Sequence, residues 1–168
     1  MEFTTPLWRS GDHLMVPANS VIRDSSITSI RGKRIGLIHG NAYPSLDAAA
    51  EKGTIKTARA VSMRMLMEML DRGRLDAVVV NRHTVHHYLS LLEFKASDYK
   101  ILDPPLYEFD LSVAVHKNQP ELLKMLNKFI EQSHNDGFLQ QLEARWFDAE
   151  YIQDERLPEF AESPSPTQ

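Results

Sequence analysis

The chain has 168 residues, is 42% hydrophobic and 25% charged, and contains 7 Gly, 9 Pro and no Cys. That length suits one domain or two small lobes with a respectable core, and the lack of Cys excludes a disulfide scaffold, a thiolate metal site and a cysteine nucleophile. A net charge of -4, from 19 basic against 23 acidic residues, gives no basic field for a nucleic-acid partner, and no apolar run approaches the roughly 20 residues of a membrane-inserted helix.

Taken in chain order, Met1–Pro6 lacks a basic n-region and an apolar h-region, so no signal peptide is expected. Lys33–His39 is short and apolar between Gly32 and Gly40, the pattern of a buried strand. A helix follows through Leu46–Lys52, with Gly53 where a C-terminal cap is wanted. Thr54–Val61 is β-branched enough for a second strand. Ser62 is an N-cap candidate for a helix from Met63 to Arg72, closed by Gly73. Leu75–Val80 is a near-continuous apolar run suited to a parallel strand. A helix from about Thr84 to Leu92 and a short strand at Lys100–Leu102 complete the alternation. Strands alternating with helices predict an α/β layer sandwich with right-handed crossovers.

Pro104–Pro105 is expected to break that rhythm, and Phe109–Val115 to form a separate strand leading away. Two helices, about Gln119–Ser133 and Asp136–Trp146, come next. From Asp154 onward the chain holds three of the nine prolines and no periodicity, which predicts a disordered tail.

Common catalytic signatures are absent. Gly32-Lys33 lacks the rest of a phosphate-binding loop, glycines 32, 36 and 40 are spaced by four, and neither a nucleophile elbow nor a zinc-protease helix motif occurs. His83, His86 and His87 form one cluster, read as a solvated or partly buried group rather than a metal site. The methionine-rich helix places residues 63, 66, 67 and 70 on one face, read as core filler, with a methionine binding surface as the alternative.

In an open parallel sheet, ligands bind beyond the carboxyl ends of the strands. The first such end is Gly40-Asn41-Ala42-Tyr43, where Asn41 is the expected helix N-cap and the N–H groups of residues 42 and 43 would face an anion. A plain helix cap with nothing bound is the equal alternative. The second end is Asn81-Arg82-His83, directly after three valines.

Several segments match one known family. Arg31–Leu37, Gly40-Asn41 and Gly73–Val79, with Phe3–Trp8, Leu14–Val16, Leu126–Lys128, Asp136-Gly137 and Arg145–Phe147, resemble in order and spacing the family 3 solute-binding proteins of ABC importers. The resemblance covers about residues 2–148. It implies a periplasmic-binding-protein-like (type II) α/β fold, a three-layer α/β/α sandwich, with one full lobe plus the C-terminal part of the other. On that reading, residues 1–19 form a first-lobe strand and hinge segment, and 20–108 the second lobe. Residues 109–150 return to the first lobe, and 151–168 form the tail.

The family carries a further first-lobe stretch before its F-[ST]-x-P segment, including an arginine that grips the ligand carboxylate. This sequence begins at Phe3-Thr4-Thr5-Pro6, so an N-terminally truncated form with half of the clamp is expected. The resemblance further implies a small-molecule ligand, an ABC permease partner, a periplasmic location, no catalytic role and no cofactor. It implies ligand contacts at Gly40, Asn41, Ala42, Tyr43, Asn81, Arg82 and Tyr107. Two departures stand out: Ala42 lacks a hydroxyl usual at its position, and Asn81 replaces an aspartate that pairs with the ligand ammonium. A ligand without an ammonium, or one held by Tyr43, Tyr88 or Tyr107, fits those departures. If the first lobe lacks its cover, the stripe Leu122, Leu123, Met125, Leu126, Phe129 and Ile130 is expected to drive homodimerisation or aggregation.

Overall fold

The computed structural model describes residues 1–147; the expected tail lies outside the described residues. Seven strands are ordered β1 (Glu2–Phe3), β2 (Trp8–Pro17), β3 (Arg34–Ile38), β4 (Lys56–Ala60), β5 (Ala77–Asn81), β6 (Tyr99–Leu111) and β7 (Ala114–Val115). Five α-helices are α1 (Pro44–Glu51), α2 (Met63–Asp71), α3 (Arg82–Leu91), α4 (Pro120–Asn135) and α5 (Phe138–Phe147). A five-stranded sheet runs in the order β4-β3-β5-β2-β6, and β1 pairs with β7 in a separate two-stranded sheet.

Within the larger sheet, β3 is parallel to both β4 and β5, whereas β2 is antiparallel to β5 and β6. The pleat sends alternate side chains to opposite faces, and two cores result. Leu14, Val16, Ile35, Leu37 and Val79 pack with Leu46 and Ala49 of α1. Met15, Val78 and Val80 pack with Leu66, Met67 and Leu70 of α2 and with Val85 and Leu89 of α3. Helices on both faces of one sheet make the three-layer sandwich.

Local chemistry sets the helix boundaries. The Ser62 hydroxyl accepts from the Met65 N–H, as expected of an N-cap, and Gly53 and Gly73 take positive φ just past α1 and α2. Gly36 is required by space: a Cβ there would lie 2.7 Å from a Leu75 methyl and 3.0 Å from one of Leu66. The expected core face of α2 holds for Leu66, Met67 and Leu70, whereas Met65 is exposed.

Residues 8–17, within the segment expected as a first-lobe strand and hinge, form β2 of the five-stranded sheet, where Leu14, Met15 and Val16 are fully buried between β5 and β6. Two expectations are corrected. Pro104–Pro105 does not end the strand: β6 runs unbroken from Tyr99 to Leu111, so Phe109–Leu111 shares its ladder with β2. Prolines are tolerated on edge strands and at bulges, and β6 supplies both. It lies at the sheet edge, and His13 alone stands opposite residues 103–106. Finally, α1 begins at Pro44 with Tyr43 at its boundary and no side-chain cap, so Asn41 is not its N-cap.

An ion pair joins the starts of β3 and β5. Asp76 accepts from the Arg34 backbone N–H at 2.7 Å and from its Nε and Nη2 at 3.0 and 2.9 Å. The Arg34 hydrogen bonds hold the Asp76 carboxyl below the usual carboxylate range. A depressed folded value stabilises the fold above the unfolded carboxylate pKa of about 3.9 and loses that contribution as pH falls through the folded value. Because both side chains are partly exposed, Asp76→Ala is expected to cost about 1 kcal/mol near neutral pH. The gap to wild type should close in acid, as read by urea midpoints across the acid limb.

Candidate functional site

The carboxyl ends of β3 and β5 open onto a cleft of about 540 Å³. Its polar lining comes from Asn41 after β3, Asn81 at the end of β5, Asp12 of β2, Ser62 and Arg64 at the start of α2, and Thr84 of α3. Tyr88, Leu91 and Leu92 supply an apolar wall.

Among the expected residues, Asn41, Tyr43 and Asn81 line this cleft, whereas Gly40, Ala42, Arg82 and Tyr107 do not. Tyr43 is buried rather than presented as a platform; its ring lies 5.6 Å beneath the Arg59 guanidinium, and its hydroxyl is 3.4 Å from Asn41 Nδ2. The Tyr107 hydroxyl accepts from the Ser45 and Leu46 N–H groups at 3.1 and 3.4 Å. It therefore satisfies the first-turn donors of α1 that an anion would otherwise use, while the Tyr43 N–H donates to Asp47. Arg82 is directed to Asp103 at 3.7 Å.

Asn81 is the polar hub. Its Oδ1 accepts from the His83 N–H at 3.1 Å and so caps α3, which starts two residues earlier than the pattern suggests. Its Nδ2 donates to Ser10 Oγ at 2.9 Å and to Asp12 Oδ1 at 3.3 Å, with Gly11 O at 3.4 Å. Ser10 Oγ, which accepts from Asn81, also pairs with His83 Nδ1, 2.8 Å away. On the other side of the ring, His83 Nε2 pairs with Glu143 Oε1 of α5 at 3.1 Å. This chain ties α5 to the rim of the cleft. His83 thus has a carboxylate partner that its sequence neighbours do not provide.

Asp12 was not among the expected site residues. It faces Asn81 in the β2–β5 register, and only the recognition of β2 as a sheet strand brings it to the cleft. Burial pushes its carboxyl above the usual range, opposed by the Asn81 hydrogen bond and the nearby His13.

The remaining elements attach to this unit through β1, β7, α4 and α5. The Thr4 N–H donates to Val113 O, the Thr5 N–H to Asn127 Oδ1, and Trp8 Nε1 to Leu139 O. On α4 the expected apolar stripe is divided: Ile130 is fully buried, whereas Met125 is 62% and Phe129 51% exposed, with Leu122 also outward. Among the described residues, no helix is long and apolar enough to cross a membrane, and no cluster of three His, Asp or Glu could hold a metal ion.

Residues 1–149 match the family described as bacterial extracellular solute-binding proteins, family 3. The chain is 24% identical over 148 residues to the ABC transporter arginine-binding protein 1 of Escherichia coli (strain K12), covering 88% of this chain and 59% of that protein. It is 26% identical over 153 residues to the histidine-binding periplasmic protein of Salmonella typhimurium, covering 87% and 58%. In structure it is similar to ArgBP from T. maritima, with a TM-score of 0.68 at 23% identity over 87% of this chain and 61% of that one. The chain thus spans less than two thirds of each relative's length. By its sequence match and its fold, the chain belongs to family 3 of the bacterial extracellular solute-binding proteins.

Proposed function

We propose that this chain is the ligand-binding region of an extracytoplasmic solute-binding protein, taking an amino-acid-like or small-carboxylate ligand for an ABC importer or a sensor. The observation that carries this reading is the cleft beyond the carboxyl ends of β3 and β5. Its mixed lining of amides, a hydroxyl, a carboxylate and a guanidinium faces an apolar wall, the composition of a small-molecule site. The relatives' names support amino acids as the class: one is an arginine-binding and another a histidine-binding protein. On this reading the protein works in the periplasm with a permease as partner, and Asn41 and Asn81 face the ligand. Gly40, Ala42, Arg82 and Tyr107 support the cleft from outside its lining. Calorimetric or NMR titration of the 168-residue chain with the proteinogenic amino acids and small carboxylates is expected to give saturable binding. Silence across that panel at millimolar ligand overturns the reading.

A second reading is favoured by Leu122, Met125 and Phe129 exposed on α4, with Phe3 exposed on β1. It is an interaction protein that keeps the lobe without tight ligand binding and associates as a homodimer through that face. Light scattering that gives a monomer with no uptake of a hydrophobic dye overturns it.

A further inference from the structure

We infer that Asp12, rather than Asn81, is the anchor for a positively charged group of the ligand, so that the cleft takes amine-bearing solutes. This rests on the solute-binding reading above and deepens it.

The side chain of Asn81 is committed internally. Its carbonyl oxygen caps α3, and its amide hydrogens are directed to Ser10 and to Asp12 with Gly11 O alongside. An amide so placed presents no charge and little free acceptor capacity to a ligand. Its work is to hold the neighbouring carboxylate: the Asn81 amide reaches Asp12 Oδ1 from the register-paired position across β2 and β5.

Asp12 itself is half-shielded, lines the cleft and has no ion-pair partner among the described residues, where Arg9, Arg34, Arg59 and Arg82 all pair with other carboxylates. The single hydrogen bond from Asn81 uses one carboxylate oxygen and leaves lone pairs for a donor from solution. A partly desolvated carboxylate without a cation is costly in the empty site and gains on receiving one. Asp12 is the one acidic residue of the lining and Arg64 the one basic residue. This pairing of opposite charges across a small cleft suits a solute that carries both an ammonium and a carboxylate.

The test uses the full chain with L-histidine, L-arginine and L-glutamine, and with imidazolepropionate and glutaramate, which lack the α-amino group of the first and third. The wild-type chain is expected to bind an amino acid more tightly than its des-amino counterpart. Asp12→Asn should weaken the amino acid about 10- to 100-fold, the value of a charge-assisted contact, while leaving the des-amino acid unchanged. Asp12→Glu should retain part of the affinity. As a readout that needs no variant, the Asp12 carboxyl carbon resonance should move with L-histidine and stay in place with imidazolepropionate. If the wild-type chain binds these amino acids and Asp12→Asn binds them equally well, or if the des-amino acids bind as tightly, the anchor is overturned while solute binding stands. If the wild-type chain binds none of the probes, the anchor is overturned, and solute binding falls with it only on silence across the full amino-acid and carboxylate panel.

Discussion

Leu14→Ala is expected to lower the stability of this chain by about 2–5 kcal/mol, the range for deleting a fully buried leucine in a close-packed core. Leu14 has no exposed surface and sits in β2, an inner strand antiparallel to both of its neighbours. It faces Val79 of β5 and Leu102 of β6 and packs in the same core as Leu37 and Leu46. Those neighbours are themselves held by the ladder and by α1, so the cavity cannot easily collapse. Thermal unfolding should show the midpoint falling by about 10 °C. Met65→Ala on the exposed side of α2 should change it little, within about 0.5 kcal/mol. If the two variants unfold alike, β2 is not the centre of the fold.

The second large effect is expected at the hub of the cleft. Asn81→Ala removes the cap of α3 and the donor to Ser10 and Asp12 together. Loss of a cap costs about 0.5–2 kcal/mol, and loss of one hydrogen bond to Ser10, whose hydroxyl keeps His83, adds about 0.5–1.5 kcal/mol, so about 1–3 kcal/mol is expected in all.

Asn81→Asp separates these two roles. Aspartate still caps the helix but cannot donate to Asp12, and it sets a second carboxylate at the register-paired position. Like charges raise the apparent pKa of the pair. A carboxyl whose folded value exceeds its unfolded one binds its proton more tightly when folded. The variant is therefore most stable in acid and loses that stability as pH rises through the folded value. Urea midpoints for Asn81→Asp that track those of wild type across pH would show that Asn81 and Asp12 do not share one site.

The two variants mark two degrees of legibility in the sequence. The capping residue Ser62, the glycines after α1 and α2 and the valine run of β5 specify their elements by chemistry within a few residues, so those elements were readable one at a time. Leu14–Val16 carries no such punctuation, and nothing local distinguishes an isolated apolar triplet from the inner strand of a sheet. Pro104–Pro105 misleads for the converse reason. Proline forbids a central strand but not an edge, and which strand is an edge depends on the order of all five.

The site divides along the same line. The carboxyl ends of β3 and β5, and hence Asn41 and Asn81, follow from the alternation of strands and helices. Asp12 does not, because it reaches Asn81 across 69 residues only through the β2–β5 register. Glu143 does not either: it meets His83 across 60 residues through the packing of α5 on α3. Tyr107 was readable as an aromatic near the site, but its hydroxyl is spent on the first turn of α1.

By itself, then, the sequence determined the α/β class, the parallel run of β3, β4 and β5 with their helices, and the strand ends at which a ligand would sit. Local propensity, capping and hydrophobic period act within one element and are written into its own residues. The tertiary structure alone decided that β2 enters the sheet from outside that run, that a long β6 borders it, and that a carboxylate from β2 sits beside Asn81. Strand partners are chosen by burial summed over the whole sheet, so a residue's neighbour across a ladder is a property of the fold and not of the segment that contains it.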